Sequence, residues 1–171
     1  MTARRQAVAR RTARHPVLTL TQRIERLERQ HFQQKPAPGP RFTVQGDVVQ
    51  DNVTGLMWTR KSIGKAPWAA AADLCAACRV GGFTDWRFAP LPELLTIVDY
   101  SRTAPAIAPV FECESSAYWA ATPYAPSPGD CAWYVAFSSG YATSSHQGYE
   151  CFVRAVRPGL ANASERARRI K

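Results

Sequence analysis

The stretch Gly81-Gly82-Phe83-Thr84-Asp85-Trp86-Arg87-Phe88 constrains the fold of this chain more than any other. It follows residues 68–78, WAAAADLCAAC, an alanine-rich run that reads as a helix. Two adjacent glycines end such a helix, because glycine takes the left-handed backbone without a Cβ penalty. A second helix is expected over residues 92–100, PELLTIVDY, with Pro and Glu in its first turn, where a missing N–H and a negative charge are both favourable. The segment between carries a large ring flanked by opposite charges and no nucleophile. Trp86 is expected to anchor the core, and Asp85 and Arg87 to fix the turn by pairing with backbone groups or each other.

The rest of the middle reads as strand. Residues 41–58, RFTVQGDVVQDNVTGLMW, are short strands with turns at Gln45-Gly46-Asp47 and Asp51-Asn52. After the second helix, YWAAT (118–122), AWYVAF (132–137) and CFVRAVR (151–157) are strands separated by loops of Pro, Ser and Gly. Strands, two helices, then strands again make an α+β domain with a small, mostly antiparallel sheet and long loops. There is no internal repeat.

Charge divides the chain differently. The formal net charge is +9, but residues 1–41 hold ten Lys/Arg against Glu25 and Glu28, net +8. Residues 162–171 hold four against Glu165, net +3, and the middle has eight basic against ten acidic residues, net −2. Nucleic-acid or acidic-partner binding therefore rests on the arms and not on the core. Apart from Phe32 the arms have no aromatic rings for base stacking, so such binding would be phosphate-driven and salt-sensitive. KPAPGP (35–40) is a stiff linker. The organisation expected is a basic arm over 1–40 with a helix at about 19–34, a domain over 41–160, and a basic tail over 161–171. In the arm Leu20, Ile24, Leu27 and His31 fall at helical spacing, with Thr21 as the N-cap. This thin stripe packs on its own domain or associates with a second copy.

No apolar run approaches the roughly 18–20 residues of a membrane span. The Arg-rich start lacks the apolar core of a secretory signal. The expectation is a protein that stays in the cell, leaves by another route, or travels on a particle such as a virion.

Seven motifs follow in order: D-N-V-T-G-L-M-W (51–58), W-x-x-A-x-x-x-C (68–75), G-G-F-T-D-W-R-F (81–88), E-L-L-x-I-V-D-Y-S-R (93–102), Y-W-A-A-T (118–122), A-W-Y-V-A-F-S-S-G (132–140) and F-V-R-A-V-R (152–157). Together, over about residues 41–158, they resemble the C-terminal domain of the Legionella collagen-like (Lcl) adhesin family. The resemblance implies a variant of the C-type lectin fold and, more distantly, kinship with variable proteins of diversity-generating retroelements. It implies a non-enzymatic ligand-binding module for a protein or glycan, without a cofactor. Phe88-Ala89-Pro90 replaces the family's Leu-Pro-Thr, and Cys78 stands where leucine is usual. Ala155 stands where a cysteine is frequent in the last strand. Cys151, four residues earlier on the same strand face, is the substitute expected to pair with Cys75. The second expected pair is Cys113–Cys131. Buried thiols in a reducing compartment are the expected state, with one or two of these disulfides forming if the protein is exported, and five cysteines leave at least one unpaired.

The ligand surface is expected near the C-terminus. SSGYATSSHQGYE (138–150) is rich in Tyr, Ser, Thr and Gly, a composition that gives contact area at low entropy cost and adaptable hydrogen bonding. The residues assigned to recognition are Tyr124, Tyr134, Tyr141, Thr143, Ser144, His146, Gln147 and Tyr149. An ordinary polar hairpin is the plainer alternative. The five tryptophans, Trp58, Trp68, Trp86, Trp119 and Trp133, are expected as framework.

Other chemistry fits less well. Cys75-x-x-Cys78 would place two sulfurs on one helix face, yet no second Cys-x-x-Cys supplies a zinc site, and the βαβ context of a thiol oxidoreductase is missing. His146, the one histidine between the arms, lies in a polar loop, so no catalytic residue is assigned. The Glu-Pro-Asn and Trp-Asn-Asp motifs of calcium-dependent sugar binding are absent, and no metal site is assigned. Glycosaminoglycan binding, which the adhesin resemblance suggests, wants a basic core surface, and this core is slightly acidic.

Overall fold

A computed structural model describes residues 19–24 and 39–159. The chain divides between Gly39 and Pro40 into two units. In the first, residues 20–24 are helical and Thr19, not Thr21, caps them. The Gln22 N–H donates to Thr19 Oγ1 (3.3 Å), and the Thr19 N–H donates to Gln22 Oε1 (3.0 Å). This reciprocal pair is a capping box, and Thr21 sits one position too late to make it. The rest of the helix expected over 19–34, the remainder of the arm and the tail over 161–171 lie outside the described residues.

The second unit is an α+β domain. Its elements run β1 (Phe42–Gln45), β2 (Val48–Asp51), β3 (Leu56–Thr59), β4 (Gly64–Ala66), α1 (Trp68–Ala77), a 3-10 turn (Val80–Gly82), β5 (Arg87–Phe88) and α2 (Leu91–Thr96). Then follow β6 (Ala117–Pro123), β7 (Cys131–Ala136), β8 (Tyr141–His146), β9 (Cys151–Val153) and β10 (Ala155–Pro158). Instead of one small sheet there are two five-stranded ones, ordered β1-β2-β3-β10-β5 and β4-β9-β6-β7-β8. All pairings are antiparallel except β6 with β9.

Alternation explains how three clusters form the core. Val49, Trp58 and Val156 point to one side of the first sheet and join Tyr118, Ala120, Val135 and Phe137 of the second, with Leu94 and Ile97 from α2 and its end. Their chain neighbours Val48, Met57 and Ala155 point to the other side and pack with Ala71 and Cys75 of α1, and with Trp86. Strand side chains repeat every two residues, so a strand buried on both faces reads as continuously apolar. On the second sheet, Trp119, Ala132 and Cys151 form the third cluster against Trp68.

The residue between β9 and β10 is Arg154, 1% exposed. Here the last strand leaves one sheet for the other. Arg154 Nη1 donates to the carbonyls of Thr59 and Arg60, and Nη2 to that of Glu112 (2.9 Å). Its guanidinium lies over the rings of Phe111 (5.1 Å) and Tyr118 (5.5 Å).

The opening stretch is architecture, with corrected details. The glycine pair does not stop α1. That helix ends at Ala77, Cys78 is already extended, and the glycines shape the 3-10 turn beyond it. Gly81 has φ +65°, and a Cβ there would sit 2.9 Å from Val48 Cγ1. Trp86 is buried and donates from Nε1 to Val80 O (3.0 Å). Asp85 and Arg87 do not pair with each other. Asp85 takes Arg157 (2.6 Å), and Arg87 takes Glu93 through two bonds of 2.8 and 2.9 Å. The second helix is shorter than residues 92–100. The β-branched run Thr96-Ile97-Val98 crowds a helical turn. The chain leaves the helix there, and Val98 bridges to Ile107.

Candidate functional site

Residues 141–146 are a strand, not a loop. β8 pairs with β7 over six residues and forms the outer edge of its sheet. The connecting turn closes with Gly140 N–H donating to Ala136 O (2.8 Å). Gly140 has φ +84°, and a Cβ would meet Val98 Cγ1 at 2.9 Å and the ring of Tyr100 at 3.3 Å. Only glycine meets both demands.

Residues opposite one another on antiparallel strands share a face. The register places Tyr134 opposite Thr143 and Ala136 opposite Tyr141. Tyr134, Tyr141 and Thr143 therefore occupy one face, with Ser145 in the same row. Trp133 opposes Ser144 and Cys131 opposes His146, which puts Ser144 and His146 on the other face. Tyr124 joins this second face, edge-on to Trp133 at 5.5 Å. The expected ligand residues are thus neighbours in the fold, divided between two faces of one hairpin. Sequence reading missed Ser145, because polar residues fill both faces of YATSSH and its register opposite Ala132 comes only from the pairing with β7.

On the first face Tyr134 lies edge-on to buried Trp119 at 6.0 Å. Burial and a hydrogen bond with Tyr141 hold the Tyr134 hydroxyl above the usual phenol range. Tyr141 is 52% exposed and Tyr149 is 64% exposed. Tyr149 stands edge-on to His146 at 6.4 Å. His146 Nδ1 accepts from the Gly148 N–H (3.0 Å), so the ring donates only through Nε2.

Gln147 is a brace. Its amide donates to Pro128 O (3.1 Å) and Cys131 O (3.2 Å), and its N–H donates to Asp130 O (2.8 Å). Its carbonyl accepts from Trp68 N–H (2.9 Å) at the start of α1. With its side-chain NH2, backbone N–H and backbone carbonyl all engaged, Gln147 fixes the loop that carries Tyr149.

All five cysteines are free thiols, so neither Cys75–Cys151 nor Cys113–Cys131 is joined. The reason for the first is packing: Cys75 lies in the α1 cluster with Ala155, whereas Cys151 belongs to the separate cluster of Trp119 and Ala132. Burial, with the neighbouring Cys78, pushes the Cys75 thiol up to about 12, and burial pushes Cys151 to about 11. Neither is a poised nucleophile. Among the described residues no three of His, Cys, Asp and Glu gather as a metal site. Glu112 is engaged by Arg60 (3.5 Å) and Lys61 (3.1 Å), and Glu114 by Ser62 and the Tyr118 hydroxyl.

A separate cavity of about 530 Å³ opens at the C-terminal end of α1, lined in part by Thr59, Lys61, Ile63, Leu74, Arg79 and Val80. A smaller one, about 330 Å³, lies beside Arg41, Phe42 and Tyr100.

A family model of the Lcl C-terminal domain matches residues 47–157. The chain belongs to that family. In this Lcl C-terminal domain the seven motifs become the β2–β3 turn with β3, α1, the glycine turn with β5, α2 with its exit, β6, β7 with its turn, and β9–β10. The aromatic hairpin face lies within the matched span, and both basic arms lie outside it. No curated protein matches the chain. Among the described residues no helix is long and apolar enough to cross a membrane.

Proposed function

We propose that this Lcl C-terminal domain is a non-enzymatic binding module of the adhesin or receptor-recognition type. It reads a protein or glycan ligand through the β7–β8 hairpin and the β8–β9 loop. One observation carries this reading: Tyr141 and Tyr149 stand more than half exposed on a strand and loop that Gly140 and Gln147 hold in place. Rigid aromatic side chains ringed by Thr, Ser and His give contact area with little ordering cost on binding. The contact residues are Tyr134, Tyr141, Thr143 and Ser145 on one face, and Tyr124, Ser144, His146 and Tyr149 at the edge and the other face. Gln147 supports them. Two flanking helices and mostly antiparallel sheets support a variant of the C-type lectin fold. A scaffold displaying side chains near its C-terminus also suits a retroelement-diversified variable protein, and a reverse transcriptase with a template repeat beside the gene is the test of that idea.

The experiment is a glycan and protein array probed with the full chain and with a chain lacking residues 1–40, at low and high salt. A salt-resistant hit shared by both places recognition on the domain. The charge distribution favours a second reading, in which the arms bind nucleic acid or an acidic partner and also bring copies together. Binding only by the full chain, lost at high salt, selects it.

A further inference from the structure

We infer that the cavity at the C-terminal end of α1 is a second binding site, for a small organic acid with an apolar chain and one anionic head group. Its volume of about 530 Å³ lies within the range of small-molecule sites. Ile63, Leu74 and Val80 supply an apolar wall, and Lys61 and Arg79 supply cations beside it.

The charge is unbalanced in favour of an anion. Lys61 shares Glu112 with Arg60, one carboxylate between two cations. Arg79 makes no ion pair among the described residues; its Nη1 donates to the carbonyls of Ala76 and Cys78, both at 2.7 Å. Those bonds fix the guanidinium at the helix end while leaving further N–H donors for a ligand. Arg154 lies behind the same wall, bonded to Thr59 O and Arg60 O with no carboxylate partner. Asp47, which also lines the cavity, Glu112 and Glu114 stand against these four cations.

Thr59 adds an independent sign. It lines the cavity, is 1% exposed, and its Oγ1 has no hydrogen-bond partner. Buried hydroxyls are nearly always satisfied, because an unmade bond costs most of the group's desolvation. A head group reaching this wall supplies the missing acceptor. The site is distinct from the aromatic hairpin. α1 begins where Trp68 meets Gln147 and ends at the cavity, and a ten-residue helix is about 15 Å long.

The test is a titration of the isotope-labelled full chain with sodium octanoate, and in parallel with 1-octanol, followed by amide NMR shifts. Octanoate is expected to shift the amides of Ile63, Leu74, Arg79 and Val80 saturably below about 10 mM, with octanol at least about five-fold weaker. Arg79→Gln should weaken octanoate by about five-fold or more and leave octanol unchanged. Thr59→Val should weaken octanoate without lowering the melting temperature, since it removes an unpaired hydroxyl at near-constant volume. Tyr141→Ala should change neither titration, which separates this site from the hairpin reading. Equal response to octanol and octanoate, no effect of Arg79→Gln, or no saturable shift at these amides overturns the inference.

Discussion

Arg154 is held by carbonyl dipoles where most buried cations would take a carboxylate. It joins Thr59, Arg60 and Glu112 at the point where the last strand changes sheets. Arg154→Ala would remove three charge-assisted bonds from a buried site, at a cost of about 3–5 kcal/mol, although Arg60 O would keep its bond from the Glu112 N–H (3.0 Å). Arg154→Lys should recover only part of it, because a point charge cannot span what the planar fork does; urea denaturation of both variants checks this. Gly140→Ala meets positive φ and a 2.9 Å approach to Val98 together. It should lose about 1–3 kcal/mol, whereas Gly129→Ala, with open space and ordinary φ, should stay within about 0.5 kcal/mol. The thiols predict a pH dependence. Cys75 and Cys151 keep their protons to about 12 and about 11 in the fold. Unfolded thiols ionise from about pH 8.5, so above that the folded state binds more protons and stability falls as pH rises. The slope is at most about 1.4 kcal/mol per pH unit for each thiol. Denaturation between pH 8 and 10 should show it, with Cys75→Ala removing the Cys75 share of the slope and leaving that of Cys151.

At the scale of elements, the proposed function divides the β7–β8 hairpin and its loop between display and support. Tyr141→Ala and Tyr149→Ala together should weaken ligand binding at least about ten-fold, as truncated aromatic anchors do. They should move the melting temperature little, because both rings are exposed. A large melting shift with unchanged affinity would return both residues to the framework. Gln147→Ala should do the reverse, lowering stability by about 1–2 kcal/mol through the loss of two bonds to carbonyls. How much of this was legible varied by element. The alanine run of α1 is local and marked its own boundaries to within a residue. The shortening of α2 was visible in Thr96-Ile97-Val98, although Leu94 and Leu95 before them argued for a longer helix. β8 was obscured because polar residues fill both of its faces, so its alternation carries no contrast between inside and outside.

For the whole molecule the question is where charge and recognition sit. The arms hold most of the positive charge and the domain is near neutral. Removing residues 1–40 should leave ligand affinity within about two-fold and cost only avidity on a multivalent surface. It should also remove most of any salt-sensitive retention on a polyanion column, leaving only the share of the basic tail, since neutralised phosphates are what make such binding salt-dependent. If affinity for the selected array ligand vanished instead, the hairpin would be scaffold and the arms the binding element.

By itself the sequence determined the α+β class, the two helices, the order of the family motifs and the separation of basic ends from a neutral core. Those depend on local propensity, spacing and composition, which need no partner across the fold. Tertiary structure alone decided the rest. It put Cys75 beside Ala155 instead of Cys151, buried Arg154 between the sheets, sent Asp85 to Arg157 and Arg87 to Glu93, and made Gln147 a brace. Each of those outcomes depends on which distant strand lies alongside, and register between strands is set by packing over the whole core.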